Sequence, residues 1–391
     1  MDTGHVSLWF LFKLFLRIGS TAFGGFMALI AIVQSNVVER YKLLSHEEML
    51  DGVSLATVLP GPVAVNTIAY VGHRLRGVPG ALVCTVAVIL PAFLLMLALS
   101  VAYLNWGQLP VVSKVFMGFI PAVTAIILMA AWNMGRKAIK SVYEGLIALA
   151  AAVVMVWHGG FMVSLAIIVL SGVAGWLLFR QPNAAVAKQA ASPAKSKGTS
   201  LHAVAAAPVV MAVSFWSLNA GLLLKLFATF AGMSLFLFGG GYVFIPLIQD
   251  TVVTAHAWLN KQEFIDAIAM SQIMPGPIVL STVFIGYKVA GVLGALAATL
   301  GIFLPPGILM VIASHVLDRI KQSPVIKAML RGIRPAVIGM IVSAVVLVGM
   351  SAQHQWPSLV IFAGALFAQV KFKLDVVWII PSAGLLGLLL Y

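Results

Sequence analysis

The chain has 391 residues, 62% of them apolar and only 9% charged, where a soluble domain carries about 25% charged residues. Its mean hydropathy is +1.07, and apolar runs of about 20 residues recur along its length, so the sequence reads as an all-α polytopic membrane protein rather than a soluble one. The net charge of +13 does not mark a nucleic-acid binder, because the lysines and arginines sit in short loops between apolar runs, as expected of a protein held in a lipid bilayer.

Taken in chain order, residues 8–33 are expected to form the first span, holding Lys13, Arg17 and then Phe23-Gly24-Gly25. That run is long enough to stay in the membrane instead of being removed as a signal. A polar stretch over 34–49 leads into a span interrupted by Pro60-Gly61-Pro62 and ending near Gly72. Proline has no backbone N–H and clashes with the preceding turn, so two prolines around a glycine break a helix. Further spans are expected near 80–104, 115–133, 143–157 and 161–179. Residues 180–200, rich in alanine, serine, lysine and proline, read as a flexible linker, and 201–218 as a short connecting span. The single cysteine, Cys84, lies in an apolar run and allows neither a disulfide framework nor a zinc site. Histidines 158, 256, 315 and 354 have no ligand spacing, so no metal or cofactor is expected, and no nucleophile–base constellation suggests an enzyme.

The second half repeats the first. Residues 23–67 match 238–282 without a gap, including Phe23/Phe238, Gln34/Gln249, Glu48/Glu263, Asp51/Asp266, both Pro-Gly-Pro triplets and Thr67/Thr282. At an offset one residue smaller the match continues through Gly72/Gly286, Gly77/Gly291, Pro91/Pro305 and Pro121/Pro335. Paired carboxylates and prolines at fixed spacing indicate an internal duplication. The basic loops exchange places between the copies. Arg74, Arg76, Arg136, Lys137 and Lys140 mark the first. In the second, Arg319, Lys321, Lys327, Lys371 and Lys373 occupy the loops whose first-half counterparts hold only Lys114. Basic loops stay cytoplasmic, so the copies are expected to be inverted. The resulting scheme is two inverted-topology six-span repeats plus one connecting span, about 13 spans with a cytoplasmic N-terminus. Its divisions are 1–180, 181–220 and 221–391, with the broken helices at the repeat interface.

Matched broken helices in inverted halves point to a transport site at the midplane. Pro60, Gly61 and Pro62, and Pro275, Gly276 and Pro277, would each start a helix whose free N–H groups and positive dipole end suit an anion. Asn66 and Thr67, and Ser281 and Thr282, would add amide and hydroxyl donors, or else would merely satisfy the freed backbone. Phe23, Gly24 and Gly25, matched by Gly239, Gly240 and Gly241, would form the other wall, or a plain helix-packing contact. Arg17, in mid-span, and Arg334, beside Pro335, are candidate cationic ligands. Glu48, Asp51, Glu263 and Asp266 lie one turn apart before each Pro-Gly-Pro and read as helix-start acids or as proton-coupling and gating groups.

At these repeated Phe-Gly-Gly and Pro-Gly-Pro elements the sequence resembles the chromate ion transporter family of bacteria and archaea, across essentially its whole length. Where that family often has a proline soon after the first Phe-Gly-Gly, this chain has Phe26 and Met27. The resemblance implies a secondary transporter of the bacterial cytoplasmic membrane that exports chromate, drives export with the proton-motive force and treats sulfate as a related oxyanion. The residues by themselves argue for a small anion and leave open an anion channel or a transporter of another oxyanion. A homodimer is compatible with either.

Overall fold

The computed structural model describes residues 6–22, 25–107, 110–158, 161–179, 220–237, 244–315, 323–350, 355–374 and 376–391. Among them the regular structure is helical throughout. The linker, the expected connecting span at 201–218 and most of both Phe-Gly-Gly elements lie outside the described residues.

The first half opens with α1 (Leu8–Thr21) and α2 (Gly25–Gln34), the latter continued by a π-helical segment over Ser35–Arg40. The Phe10 and Tyr41 rings meet edge to face at 5.3 Å. Since these residues begin one leg and follow the other, the two legs lie side by side. Next comes α3 (His46–Val58), started by a reciprocal cap in which the Ser45 and Glu48 side chains bond each other's backbone N–H. It stops at Leu59, which is extended ahead of Pro60, as residues before proline are. Gly61 then adopts φ 111°, a region that favours glycine. The chain re-enters a helix at Val63, the start of α4 (Val63–Trp106).

This break reverses the chain. Glu48 and Arg74 pair at 2.7 Å, and a methyl group added at Gly52 would strike the Tyr70 ring. Both pairs are centred on Gly61, so α3 and the first leg of α4 form a helical hairpin with Pro-Gly-Pro at its tip. A second reversal lies inside α4, where Gly77 takes φ 62° and ψ −152°. There Gly72 and Gly80 pack backbone to backbone, with no room for a Cβ on either. The legs 63–75 and 78–106 therefore fold back on each other.

The single spans expected at 8–33 and across Pro-Gly-Pro are thus corrected to two helical hairpins. The physical reason is that the chain doubles back at each break, so its legs lie side by side instead of continuing end to end.

The second half has the same devices at the matched positions. Here α8 (Ala220–Ser234) and α9 (Phe244–Gln249), with a π-helical segment over Asp250–Ala255, precede α10 (Lys261–Ile273), capped by Asn260 and Glu263. Gly276 has φ 127° at the tip, and Glu263 pairs with Lys288 across the hairpin mouth. A 3-10 turn over Ile278–Leu280 leads into α11 (Ser281–Ser314), which folds back at Gly291, φ 61° and ψ −153°.

Further helices complete each half. In the first half these are the second leg of α4, α5 (Pro110–Ala138), α6 (Val142–His158) and α7 (Phe161–Phe179). In the second they are the long leg of α11, α12 (Pro324–Met350), α13 (Trp356–Lys371) and α14 (Val376–Leu390). Lipid tails are as apolar as leucine, so close packing through small residues holds such helices together. Gly118 lies against Ala383 and Gly387 where α5 crosses α14, and Gly332 lies against Ser171 and Gly175 where α12 crosses α7. Gly135 faces Ile338 and Gly349 faces Thr124, so α5 and α12 pack antiparallel.

Five of the described helices are long and apolar enough to cross a membrane, and the protein is a multi-pass membrane protein. Its outward surface fits. Trp9, Trp106, Trp132, Trp157, Trp356 and Trp378, each near a helix end, are all more than half exposed, where amphipathic rings meet headgroups.

Candidate functional site

Each Pro-Gly-Pro tip rests on the other half of the chain. The Gly61 N–H donates to the Leu237 carbonyl at 2.7 Å, and Gly61 abuts Pro306 in α11. Gly276 abuts Ala92 in α4, the residue that matches Pro306.

Beside the first tip lies a cavity of about 570 Å³. Its walls are Ser54, Thr57 and Val58 of α3, the α5–α6 turn with Lys140 and Glu144, and the start of α12 with Lys327, Arg331 and Arg334. Arg331 is committed: its Nε donates to the buried Glu144 carboxylate at 2.7 Å, and its guanidinium lies over the Phe179 ring. The other Glu144 oxygen accepts from the Lys140 and Ser141 N–H groups at 2.6 and 2.9 Å, starting α6. Among the described residues no carboxylate pairs with Lys140, Lys327 or Arg334. The cavity therefore offers three uncompensated cations around hydroxyl-bearing walls, an arrangement for an anion.

The two tips differ in what their side chains do. At the first, Asn66 Nδ2 donates to the Pro60 carbonyl at 3.0 Å and Thr67 Oγ1 to the Val63 carbonyl at 2.8 Å. Both donors satisfy the broken backbone. At the second, Thr282 Oγ1 does the same with Val279 at 2.9 Å. Ser281 Oγ and Gln272 Nε2, however, are buried with no hydrogen-bond partner. Gln272 matches Thr57 and Ser281 matches Asn66.

The four acids separate into two kinds. Glu48 and Glu263 each complete a cap and close a hairpin mouth, on Arg74 and Lys288. The Ser45 N–H, then the Arg74 guanidinium, hold the Glu48 carboxyl below its ordinary range. Asp51 is half-buried on α3. Asp266 is 2% exposed and is met by neutral donors, the Tyr103 hydroxyl at 2.6 Å and Gln262 Nε2 at 2.9 Å. Tyr103 comes from α4, so this bond joins the halves.

Of the cationic candidates, Arg334 lines the cavity. Arg17 lies on the exposed face of α1 and is not part of the cavity wall. Gly25 opens α2; Phe23, Gly24, Gly239, Gly240 and Gly241 lie outside the described residues. Sequence reasoning missed Lys140, Lys327, Arg331, Glu144, Gln272 and Tyr103. Lys140 and Lys327 were visible only as loop charges, and Gln272 only as a residue ahead of a break. No group of three or more histidine, cysteine, aspartate or glutamate side chains able to hold a metal occurs among the described residues.

A family model described as chromate transporter matches the chain twice, over residues 9–176 and 224–388. A chromate transport protein of Cupriavidus metallidurans is 33% identical over 379 residues, covering 96% of this chain and 92% of that protein. One of Pseudomonas aeruginosa is 29% identical, covering 97% and 92%. An uncharacterised transporter of Bacillus subtilis is 30% identical over 166 residues, which is 93% of its own length but 41% of this chain. No solved structure matches.

Proposed function

Since this chain belongs to the chromate transporter family, we propose that it is a secondary transporter that exports chromate from the cytoplasm by alternating access, driven by the proton-motive force. The observation that carries this is the basic cavity against the first Pro-Gly-Pro tip. It is large enough for a hydrated tetrahedral oxyanion and has cations to attract one.

The inverted arrangement is supported by the antiparallel packing of the matched helices α5 and α12, since halves related by an axis along the membrane normal would run them parallel. On this reading each half contributes two re-entrant hairpins and four crossings. Residues 201–218 supply the odd crossing that inverts the copy. Arg74, Arg76, Lys140, Lys327 and Arg331 then fall on one side, the cytoplasmic one, with the N-terminus.

Among the described residues the α12 wall of the cavity has no basic counterpart in the other half. At the offset that relates the halves, Lys327, Leu330, Arg331 and Arg334 correspond to Ser113, Phe116, Met117 and Ile120. There Phe116 packs on Tyr103 and Phe119 at 5.1 and 5.0 Å, and Tyr103 on Phe284 at 5.2 Å. This favours a form open to the cytoplasm through a basic mouth and closed outward by an aromatic cluster that Tyr103 ties to Asp266. A buried carboxylate at such a gate is suited to carry the coupling proton.

The test is uptake of radiolabelled chromate into inverted vesicles, with and without a pH gradient and with sulfate or molybdate as competitor. Uptake that responds to the gradient and accelerates with chromate on the far side is expected. Flux without accelerated exchange would make the protein a channel, and sulfate uptake without chromate uptake would change the substrate.

A further inference from the structure

We propose that Gln272 and Ser281 form an occluded oxyanion-binding station at the second Pro-Gly-Pro tip, distinct from the basic cavity at the first. The proposal rests on the reading of the protein as an oxyanion transporter. Lys288 and Glu263 close the mouth of this hairpin, and that register sets Gln272 and Ser281 on facing legs, within about one turn of Gly276. The break leaves Ile278 and Val279 as the first N–H groups of the returning helix, ahead of the first intrahelical bond, Leu280 N–H to the Pro277 carbonyl at 3.1 Å. Such a helix start favours negative charge.

The independent observation is the pair of idle side chains. Gln272 is 8% exposed and Ser281 fully buried, yet Gln272 Nε2 and Ser281 Oγ have no partner. Buried polar atoms are ordinarily bonded, and leaving them unpaired is costly. The matched Asn66 donates to its own broken backbone; the second tip keeps its donors in reserve. An amide, a hydroxyl and two backbone N–H groups are a set of donors with no net charge. That set suits a dehydrated tetrahedral oxyanion that has left the cationic cavity, because a station of lysines and arginines would hold a dianion too tightly for release.

The experiment is equilibrium dialysis of the purified full chain in detergent against radiolabelled chromate at two ionic strengths, with the thermal shift that chromate induces as a second readout. Gln272→Leu and Ser281→Ala should each weaken chromate binding about tenfold or more, equally at both ionic strengths, and should shrink the shift. Lys327→Gln should weaken binding mainly at low salt. Ser281→Ala removes one atom from a buried site and guards against a folding failure in Gln272→Leu. If the wild type binds chromate and both variants bind it equally well, the station is wrong while the transport reading stands. If Gln272→Leu is more heat-stable and chromate shifts neither protein, the idle donors are a packing flaw and the station is again wrong. If the wild type binds neither chromate nor sulfate, the transport reading itself falls.

Discussion

At the residue scale, charge alone does not identify a ligand; its surroundings do. Arg17 attracts notice in the sequence because a mid-span arginine is costly. In the structure it lies on an exposed face of α1 and outside the cavity wall. Arg334, chosen only for its neighbour Pro335, faces the cavity. Arg334→Gln should raise the KM for chromate about three- to tenfold with little change in kcat, an effect that fades in high salt. Arg17→Gln should leave KM within about twofold; vesicle uptake at two ionic strengths checks both. Asp266 poses the opposite problem. It matches Asp51 letter for letter, and only the fold shows that one is sealed against Tyr103 while the other is half-buried. Asp266→Asn keeps the shape and both neutral donors but cannot change charge. It should abolish the stimulation of uptake by a pH gradient while chromate–chromate exchange continues. Stimulation that persists in Asp266→Asn would move the coupling proton elsewhere.

At the element scale, the Pro-Gly-Pro breaks were legible and their geometry was not. Proline chemistry says that a helix ends and another begins, but does not give the angle between them. The clue lay in pairs set about equally far on either side of the glycine, Glu48 with Arg74 and Glu263 with Lys288, whose opposite charges fit only if the legs lie side by side. In the same way, Gly72, Gly77 and Gly80 were visible as repeated glycines, but not as a fold-back inside what reads as one long span. Alanine substitutions separate the contributions. Gly77→Ala meets nothing within 4 Å and suffers only from its φ of 62°, a cost of about 1–3 kcal/mol. Gly61→Ala has an unfavourable φ of 111° and also collides with Pro306. Gly276→Ala, at φ 127°, meets first a movable Leu280 methyl at 3.2 Å. Thermal unfolding of the three proteins should therefore rank Gly61→Ala as the most damaged, and transport should fall with it. Equal losses would mean that the tip's contact with α11 carries no weight.

At the scale of the whole molecule, the duplication and the membrane setting could be read from the letters, because repeated prolines, carboxylates and basic loops survive divergence. The functional asymmetry could not. Matched positions carry lysine and arginine in α12 but serine, methionine and isoleucine in α5, and only their shared surroundings turn that difference into a basic cavity in one place and an aromatic cluster in the other. That asymmetry has direction only if the halves are upside down relative to each other, and the chain offers a clean way to establish this. Cys84 is its sole cysteine and is fully buried, so the wild type supplies a silent background for a membrane-impermeant thiol reagent. Val78 and Val292 are matched residues just past the fold-backs at Gly77 and Gly291, and they are 54% and 50% exposed. In right-side-out vesicles Val292→Cys should react with the impermeant reagent and Val78→Cys should not; in inverted vesicles the pattern should reverse. Labelling of both from the same side would put the halves the same way up. The basic cavity and the aromatic cluster would then no longer be opposite ends of one path, and outward pumping by alternating access would lose its structural basis.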